Sequence, residues 1–411
     1  MTLRLFEATG VEIEYMIVDR ETLDVLPACD RLIESVAGEP VSELERGDVA
    51  WSNELVLHVL ELKTNGPTRD LGGCAARFHA EVVDANAALA ALETDSGAGG
   101  VLLPGGVHPW MDPARETRLW PHEYNDVYRT FDRIFGCSGH GWSNLQSTHV
   151  NLPFAGDEEF GRLHAAIRAV LPLIPALAAA SPFLDGAVQP ALDARLEAYR
   201  TNARLVPEVA GQVVPEPVAT EEEYRDAILE PLYRALGPHD PDGVLRHEWA
   251  NARGAIARFG RGAIEIRVID AQECPKADLA VVAMIVAAVK ALAEERWTSR
   301  RALDEMPTGP LAALLRETSR AGADAVVADS AFLEAFDLGR GELTAGQAWH
   351  RLADRLAPDE VPDPYGRPLE RILAHGPLAA RMMRAHQEGS TLHDIAERLV
   401  TGLAEDRLFG V

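Results

Sequence analysis

Two segments near opposite ends of the chain alternate charged and apolar residues. They are residues 10–15 (Gly-Val-Glu-Ile-Glu-Tyr) and residues 263–268 (Ala-Ile-Glu-Ile-Arg-Val). On a β-strand, a period of two sends every second side chain to the same face. Glu12 and Glu14 therefore leave the first strand together. Glu265 and Arg267 leave the second strand together in the same way.

Carboxylates that share a strand face predict a bound cation. Neighbouring negative charges repel each other unless positive charge lies between them. Mg²⁺ is the default ion for oxygen ligands, because it takes carboxylates, waters and substrate phosphates together. We therefore expect a sheet face in this protein that binds Mg²⁺.

Residues 51–64 read as one long strand that carries two further carboxylates, Glu54 and Glu61. The two lie seven positions apart, and an odd spacing puts them on opposite faces of a straight strand. A bulge or a strong twist would be needed to bring both to one site. Glu61 is the stronger candidate, because an unpaired carboxylate among apolar neighbours is costly.

The run Thr-His-Val-Asn at residues 148–151 reads as part of another alternating strand. His149 and Asn151 would lie on one face of that strand. A lone histidine in a strand is more often a core residue than a ligand. The asparagine on the same face leaves a core role and a ligand role equally open.

An arginine cluster precedes the second alternating strand. Its members are Arg253, Arg258 and Arg261. Arginine binds phosphate or carboxylate through planar, bidentate contacts, so the cluster is a candidate anion site. For Glu265 and Arg267, a simple salt bridge is the alternative to a role in binding.

Composition excludes several classes of function. The chain has 411 residues and a formal net charge of −25, from 39 Lys and Arg against 64 Asp and Glu. Such a field repels nucleic acid and anionic lipid, so we expect neither as a partner. The apolar run at residues 279–292 is too short to span a bilayer. No basic segment followed by an apolar run occurs from residue 1 onward, so we expect no secretory signal. The four cysteines lack C-x-x-C spacing, which fits the cytoplasm.

Predicted helices separate the strands along the chain. They cover residues 30–36, 71–92, 158–180, 221–236 and 277–296, and residues 108–128 read as a long surface excursion. The strands alternate rather than run continuously apolar, which favours an antiparallel sheet with one polar, functional face. We expect an α+β fold, with a catalytic domain at residues 1–298 and a helical C-terminal portion at residues 299–411 packed on it.

Several motifs occur in a recognisable order. They are Gly-Val-Glu-Ile-Glu at residue 10, Glu54 and Glu61, Thr-His-Val-Asn at residue 148, Ser-Pro-Phe at residue 181, and Ala-Ile-Glu-Ile-Arg-Val at residue 263. Together they resemble the glutamate–cysteine ligase family, in its bacterial and plant carboxylate-amine ligase branch. The resemblance implies a glutamine synthetase-like fold, in which a curved, mainly antiparallel sheet forms a funnel flanked by helices. Mg²⁺ and ATP would lie on the inner face of that funnel.

The resemblance also implies roles for individual residues. The expected metal ligands are Glu12, Glu14, Glu54, Glu61, His149 and Glu265. Arg267 would meet the transferred phosphate with Glu265 beside it. From the residue pattern itself, we expect Asn151, Arg253 and Arg258 to help bind substrate or nucleotide. The implied cofactors are ATP and Mg²⁺, with Mn²⁺ as a substitute metal. The expected partners are a small carboxylate and a small amine, with a homodimer as the oligomeric state to test.

The implied reaction is amide formation through an acyl phosphate, with a γ-glutamyl amide as one candidate product. Two alternatives stay open on the sequence. A phosphotransferase of the guanidino kinase type would use the same Mg–ATP face, and a non-catalytic sensor of nucleotide or metal would need only the acidic residues. No P-loop, H-E-x-x-H, G-x-S-x-G or G-x-G-x-x-G motif occurs, so common ATPase, zinc-protease, serine-hydrolase and dinucleotide sites lack support.

Overall fold

The structure, a computed structural model, describes residues 3–357 and 360–410 and has an extended antiparallel sheet at its centre. The strands are β1 (Gly10–Asp19), β2 (Glu43–Arg46), β3 (Val49–Asn53), β4 (Val59–Thr64), β5 (Gly100–Leu103), β6 (Ser147–Pro153), β7 (Phe183–Leu184), β8 (Ala187–Val188), β9 (Ala255–Arg258), β10 (Ala263–Asp270), β11 (Val326–Val327) and β12 (Leu343–Thr344). The main sheet has the order β2-β3-β4-β1-β6-β10-β9, and β5 also pairs with β1. The antiparallel sheet expected from the alternating strands is confirmed.

Strand β1 lies inside the sheet and sets the register of its polar face. Glu12 on β1 is paired with His149 on β6, and Glu14 is paired with Glu61 on β4. Directly opposed residues of antiparallel strands point to the same face. The register therefore collects on one face the side chains that the sequence placed on separate strands.

Helices surround this sheet. They are α1 (Cys29–Ala37), α2 (Cys74–Ala90), α3 (Pro113–Glu116), α4 (Asn125–Phe135), α5 (His140–Ser143), α6 (Gly156–Val170), α7 (Ile174–Ala178), α8 (Ala194–Asn202), α9 (Glu221–Tyr224), α10 (Glu230–Leu236), α11 (Pro275–Ala293), α12 (Arg300–Asp304), α13 (Thr308–Ala321), α14 (Ser330–Ala335), α15 (Ala345–Arg355), α16 (Asp363–His375), α17 (Leu378–Gln387) and α18 (Leu392–Ala404). Helix α11 begins with Pro275, which suits the first helical turn because its missing N–H has no partner there anyway.

The apolar face of the sheet packs into the main hydrophobic core. Val11, Ile13 and Ile266 are fully buried in the same cluster as Leu279 and Val282 of α11. Helices α2, α6 and α16 pack around α11 and complete this core. Burying one large aliphatic side chain contributes about 1.5–3 kcal/mol, so the core fixes the strands whose other face is polar.

The structure corrects the single strand predicted for residues 51–64. These residues form β3 and β4, which run antiparallel with Ser52 opposite Glu61. The chain reverses between the two strands, and Glu54 lies in the connection. Glu54 and Glu61 therefore reach the same cavity through a chain reversal, and no bulge is needed.

The predicted helix at residues 158–180 is confirmed with a break at its prolines. Helix α6 ends at Val170, a 3₁₀ turn covers Leu171–Leu173, and α7 follows. This stretch, Gly156–Ala178, is long and apolar enough to cross a membrane by length and composition, but 94% of its most apolar window is buried inside the protein. Burial in the core explains why this stretch is so apolar. The surface excursion predicted at residues 108–128 instead contains α3 and the start of α4.

The helical C-terminal portion is confirmed, and it packs on the rest of the chain. Helix α16 contacts α11, while α18 contacts β5 and α2. The buried Arg381 on α17 pairs with the buried Glu273, and it also donates to the carbonyl of Phe409 at 2.8 Å. The backbone N–H of Phe409 donates to Glu273 at 3.2 Å. These contacts join the C-terminal portion to the start of α11, while the division at residue 298 stays a prediction.

Replacing Arg381 with Met tests this junction. The change leaves Glu273 as a buried, unpaired charge, so we expect a loss of about 3–5 kcal/mol in the free energy of unfolding. Arg301→Met removes an exposed partner of Glu305, and because solvent screens that pair, the free energy of unfolding should change far less than with Arg381→Met. Guanidinium denaturation of the three proteins measures both changes. Equal, small losses would mean that the Arg381 contact does not hold the C-terminal portion in place.

Candidate functional site

A cavity of about 900 Å³ opens over the polar face of the sheet. The sheet contributes a charged surface, here called the polar floor, which consists of Glu12, Glu14, Glu61, Lys63, Ser147, His149, Arg258, Glu265 and Arg267. Elements outside the sheet contribute an aromatic wall, which consists of Tyr128, Phe131, Trp142, Tyr199 and Trp249. The cavity therefore combines a surface suited to charged groups with a surface suited to a flat or apolar group.

Glu12, His149 and Glu265 form a compact group on the polar floor. Each offers one ligand atom, and these atoms lie within 4.8 Å of one another. The Nδ1 atom of His149 lies 3.2 Å from Glu12 Oε2 and 3.9 Å from Glu265 Oε1. Burial is the largest influence and raises the pKa of Glu12, but the hydrogen bond and charge of His149, together with the charge of Lys63, outweigh it and lower that pKa. Three adjacent strands thus bring together residues that are far apart in the chain.

Glu14 lies beside this group and is fixed by β6. Its Oε2 atom accepts hydrogen bonds from the backbone N–H of Ser147 at 2.7 Å and from the Ser147 hydroxyl at 3.0 Å. Its other oxygen lies 4.0 Å from His149 Nε2. One oxygen of Glu14 is therefore anchored, while the other is next to the ligand group.

Glu54 and Glu61 carry carboxyl groups with raised pKa values. Burial, together with the charges of Glu14 and Glu12, raises the pKa of Glu54 to about 8. Burial, Glu12 and Glu54 raise the pKa of Glu61 well above its usual range. The nearest ammonium, that of Lys63, lies 3.6 Å from Glu61 and does not reverse the shift. The local negative charge therefore exceeds what the protein's own cations neutralise.

This donor set fits a divalent cation. Carboxylate oxygens with one imidazole suit Mg²⁺ or Mn²⁺. A bound dication would also favour the charged forms of Glu54 and Glu61, because a metal ion is the largest local charge in such a site. The residues that could hold it are Glu12, Glu14, Glu54, Glu61, His149 and Glu265.

Glu265 is only 3% exposed and is held by two arginines. Arg258 donates to its Oε2 atom at 3.0 Å, and Arg267 donates to its Oε1 atom at 2.7 Å. Burial alone would raise the pKa of Glu265, but Arg267, followed by His149 and Arg258, outweighs burial and lowers it to about 2. The salt bridge considered for Glu265 and Arg267 is therefore present. It occupies one N–H of each arginine, so further donors are left for an anion.

Within the part of the chain that the structure describes, two of the predicted binding residues do not line the cavity. Arg253 is directed elsewhere, because its fork donates to Glu216 at 2.6 and 2.7 Å and to Asn251 at 3.0 Å. Asn151 lies behind Glu12 and donates to its Oε1 atom at 3.1 Å. Arg253 thus braces a neighbouring segment, and Asn151 orients the carboxylate of Glu12.

Sequence reasoning missed two cavity cations. Lys63 lies two positions after Glu61, so the period-two rule applied to β4 could have found it. Arg195 is buried at the start of α8, where it pairs with Asp270 and donates to the carbonyl of Arg267 at 3.3 Å. Its place in the cavity depends on how α8 packs against β10, and no local pattern indicates that.

Comparison with known proteins gives a match over most of the chain. The sequence profile of the glutamate-cysteine ligase family 2 (GCS2) matches residues 8–401. This range includes the whole polar floor and the aromatic wall. The resemblance that the ordered motifs indicated is confirmed.

Individual relatives extend this comparison. The chain is 35% identical over 315 residues to an uncharacterised protein of Archaeoglobus fulgidus, which covers 77% of this chain and 80% of that protein. It is 26% identical over 294 residues to a protein of Nocardioides sp. provisionally assigned as glutamate–cysteine ligase 2-1, covering 71% and 69% of the two chains. Among solved structures, it is similar to the ligase PafA in complex with the prokaryotic ubiquitin-like protein Pup. That likeness has 14% identity and a TM-score of 0.45 over 96% of this chain and 72% of the other.

The raised pKa of Glu54 predicts that metal binding releases protons. A pKa of about 8 keeps Glu54 protonated at neutral pH, so a cation must displace that proton. We expect Mg²⁺ to bind more tightly as the pH rises from about 6 to about 9. Isothermal titration calorimetry in buffers of different ionisation enthalpy measures the released protons. Glu54→Gln should reduce the release, whereas Glu317→Gln on the exposed surface of α13 should not; pH-independent binding would contradict the assignment.

Proposed function

Because the chain belongs to the glutamate-cysteine ligase family 2, we propose that it is an ATP-dependent ligase that joins a small carboxylate to an amine. The amide would form through an acyl phosphate, and a glutamate-like acid activated at its side-chain carboxylate is the candidate substrate. The observation that carries the proposal is the placement of Arg258 and Arg267 beside the carboxylate–histidine group on one cavity face. Phosphoryl transfer needs both kinds of group at one place.

The proposed reaction has two steps. A carboxylate is a poor electrophile for an amine, so a carboxylate oxygen of the acid first attacks the γ-phosphorus of ATP. The bond between the γ-phosphorus and the bridging oxygen breaks, and ADP leaves. The amine then attacks the acyl carbon, the carbon–oxygen bond to phosphate breaks, and the amine loses a proton. The products are an amide, ADP and phosphate.

The residues of the polar floor suit this sequence of steps. Arg258 and Arg267 would bind the phosphate oxygens, and Glu265 would hold the two guanidinium groups in fixed positions. Mg²⁺ in the carboxylate group would neutralise phosphate charge as the phosphoryl group moves. Hydrogen bonds anchor Oε2 of Glu14 and Oε1 of Glu12. These anchors would keep the other carboxylate oxygen of each residue in place to bind the metal.

The nucleotide product and a trapped acid test this mechanism. We expect ATP cleavage to give ADP and phosphate, because an acyl phosphate takes only the γ-phosphoryl group. With glutamate, Mg²⁺ and hydroxylamine, a hydroxamate should accumulate, since the activated acid exists before the amine attacks. AMP as the nucleotide product would rule out the mechanism. A stable phosphorylated acceptor would indicate a phosphotransferase, and no ATP cleavage with a panel of acids and amines would indicate a sensor.

Arg267→Lys tests the role of the planar guanidinium. Lysine keeps the charge but loses the fork that can hold Glu265 and phosphate together, so we expect the catalytic rate to fall at least about tenfold. Arg253→Lys is the matched control, because Arg253 is also paired with a glutamate but lies outside the cavity lining. Rates of ADP formation and thermal unfolding of both variants give the answer. If Arg267→Lys lowers stability alone, Arg267 serves only its salt bridge.

A further inference from the structure

The aromatic wall has no role in the reaction described above. Phe131 and Trp142 have ring centroids 5.3 Å apart, and Phe131 and Trp249 have centroids 5.9 Å apart. The three rings are only partly buried, unlike the fully buried Trp51 and Trp120 of the core. Trp142 stacks on Phe135 and Trp249 stacks on His247, so one face of each indole is already covered. The part of each ring that lines the cavity is left to stack on a ligand.

The wall is held next to the phosphate-binding arginines. The carboxylate of Glu248 accepts a hydrogen bond from the backbone N–H of Phe259 at 3.2 Å, which ties the Trp249 segment to the turn between β9 and β10. Arg258 ends β9 and directly precedes that turn. A ligand whose phosphates contact Arg258 therefore has the Trp249 end of the wall nearby.

Asn202 supplies a polar group beside the wall. Its backbone carbonyl accepts from Trp142 Nε1 at 3.2 Å, and Asn202 is among the residues that line the cavity. The Nδ2 atom donates to the carbonyl of Gly141 at 2.7 Å, which fixes the orientation of the amide. Within the part of the chain that the structure describes, its Oδ1 atom has no hydrogen-bond partner. A buried acceptor without a partner is costly, so a ligand N–H would stabilise this arrangement.

We propose that the aromatic wall binds the nucleotide base, and that Asn202 favours a purine with an exocyclic amino group. The base stacks on Trp249 and its neighbours, while the phosphates lie on Arg258 and Arg267. The N–H of the amino group donates to Asn202 Oδ1. This inference rests on the proposed use of ATP and names the surface that recognises the base.

The charge distribution favours the base over the substrate acid. The wall contains no ionised side chain, and burying a carboxylate against apolar rings is costly. An uncharged planar ring loses little solvation there and gains stacking. An apolar body of the amine substrate has similar chemistry, so the experiment separates it from the base.

Binding of nucleotide with and without a base tests the stacking. Isothermal titration calorimetry with Mg²⁺ should show ADP binding about tenfold more weakly to Trp249→Leu than to the wild type, since base–aromatic stacking contributes on this scale. Inorganic tripolyphosphate, which lacks a base, should bind both proteins alike. Trp110→Leu is the control, because Trp110 stacks on His393 outside the cavity. Circular dichroism confirms that each variant is folded.

Each outcome decides the inference. If Trp249→Leu binds ADP as tightly as the wild type does, the inference is overturned. It is also overturned if this variant loses as much affinity for tripolyphosphate as for ADP. An unchanged ADP affinity with a raised KM for an aromatic amine such as phenethylamine would assign the wall to the amine. If wild type binds neither ADP nor tripolyphosphate, the proposed function itself fails.

Inosine diphosphate tests Asn202. Its base carries an oxygen where ADP carries its amino group. This oxygen is a hydrogen-bond acceptor, so it cannot donate to Asn202 Oδ1. We expect wild type to bind inosine diphosphate about tenfold more weakly than ADP, because the Asn202 oxygen then stays unpaired. Equal affinities would remove Asn202 from the inference.

Discussion

Repulsion among buried carboxylates is the constraint on which this structure depends. Glu12, Glu14 and Glu61 lie on adjacent strands and point to one face, where neighbouring charges raise the pKa of Glu61 beyond the effect of burial. A fold would avoid this arrangement unless a cation made it favourable. The hydrophobic core on the opposite face holds the strands in register in spite of the repulsion. The polar face can therefore be read as a site that is prepared for positive charge.

Much of the polar floor could be predicted because a strand has a simple period. Alternation alone placed Glu12 with Glu14 and Glu265 with Arg267, and the antiparallel sheet followed from the same pattern. The register across strands could not be predicted, since no local pattern tells which residue opposes His149. The ordered motifs supplied that information indirectly, by indicating a family.

The errors have a common physical cause, which is that function here depends on tertiary contacts. Glu54 reaches the cavity because the chain reverses after β3, and the apolar run around it concealed the turn. Arg253 belonged to a convincing arginine cluster, yet its fork is taken by Glu216. Arg195 lines the cavity from the start of α8, and the loop before this helix has no sequence pattern that indicates such a position. The aromatic wall was missed in the same way, because Phe131 and Trp142 follow a stretch that read as surface excursion.

Under the proposed function, Glu265 explains how an acidic protein would accept a triphosphate. With a net charge of −25, the chain repels phosphate at long range, so attraction must arise locally. Two half-buried arginines side by side would repel each other, and one carboxylate between Arg258 and Arg267 stabilises both while leaving the three groups together with a net charge of about +1. A single glutamate thus keeps the guanidinium groups rigid and still leaves them attractive to an anion. The same carboxylate lies next to His149 and Glu12, so the group that orients the arginines would also face the proposed metal.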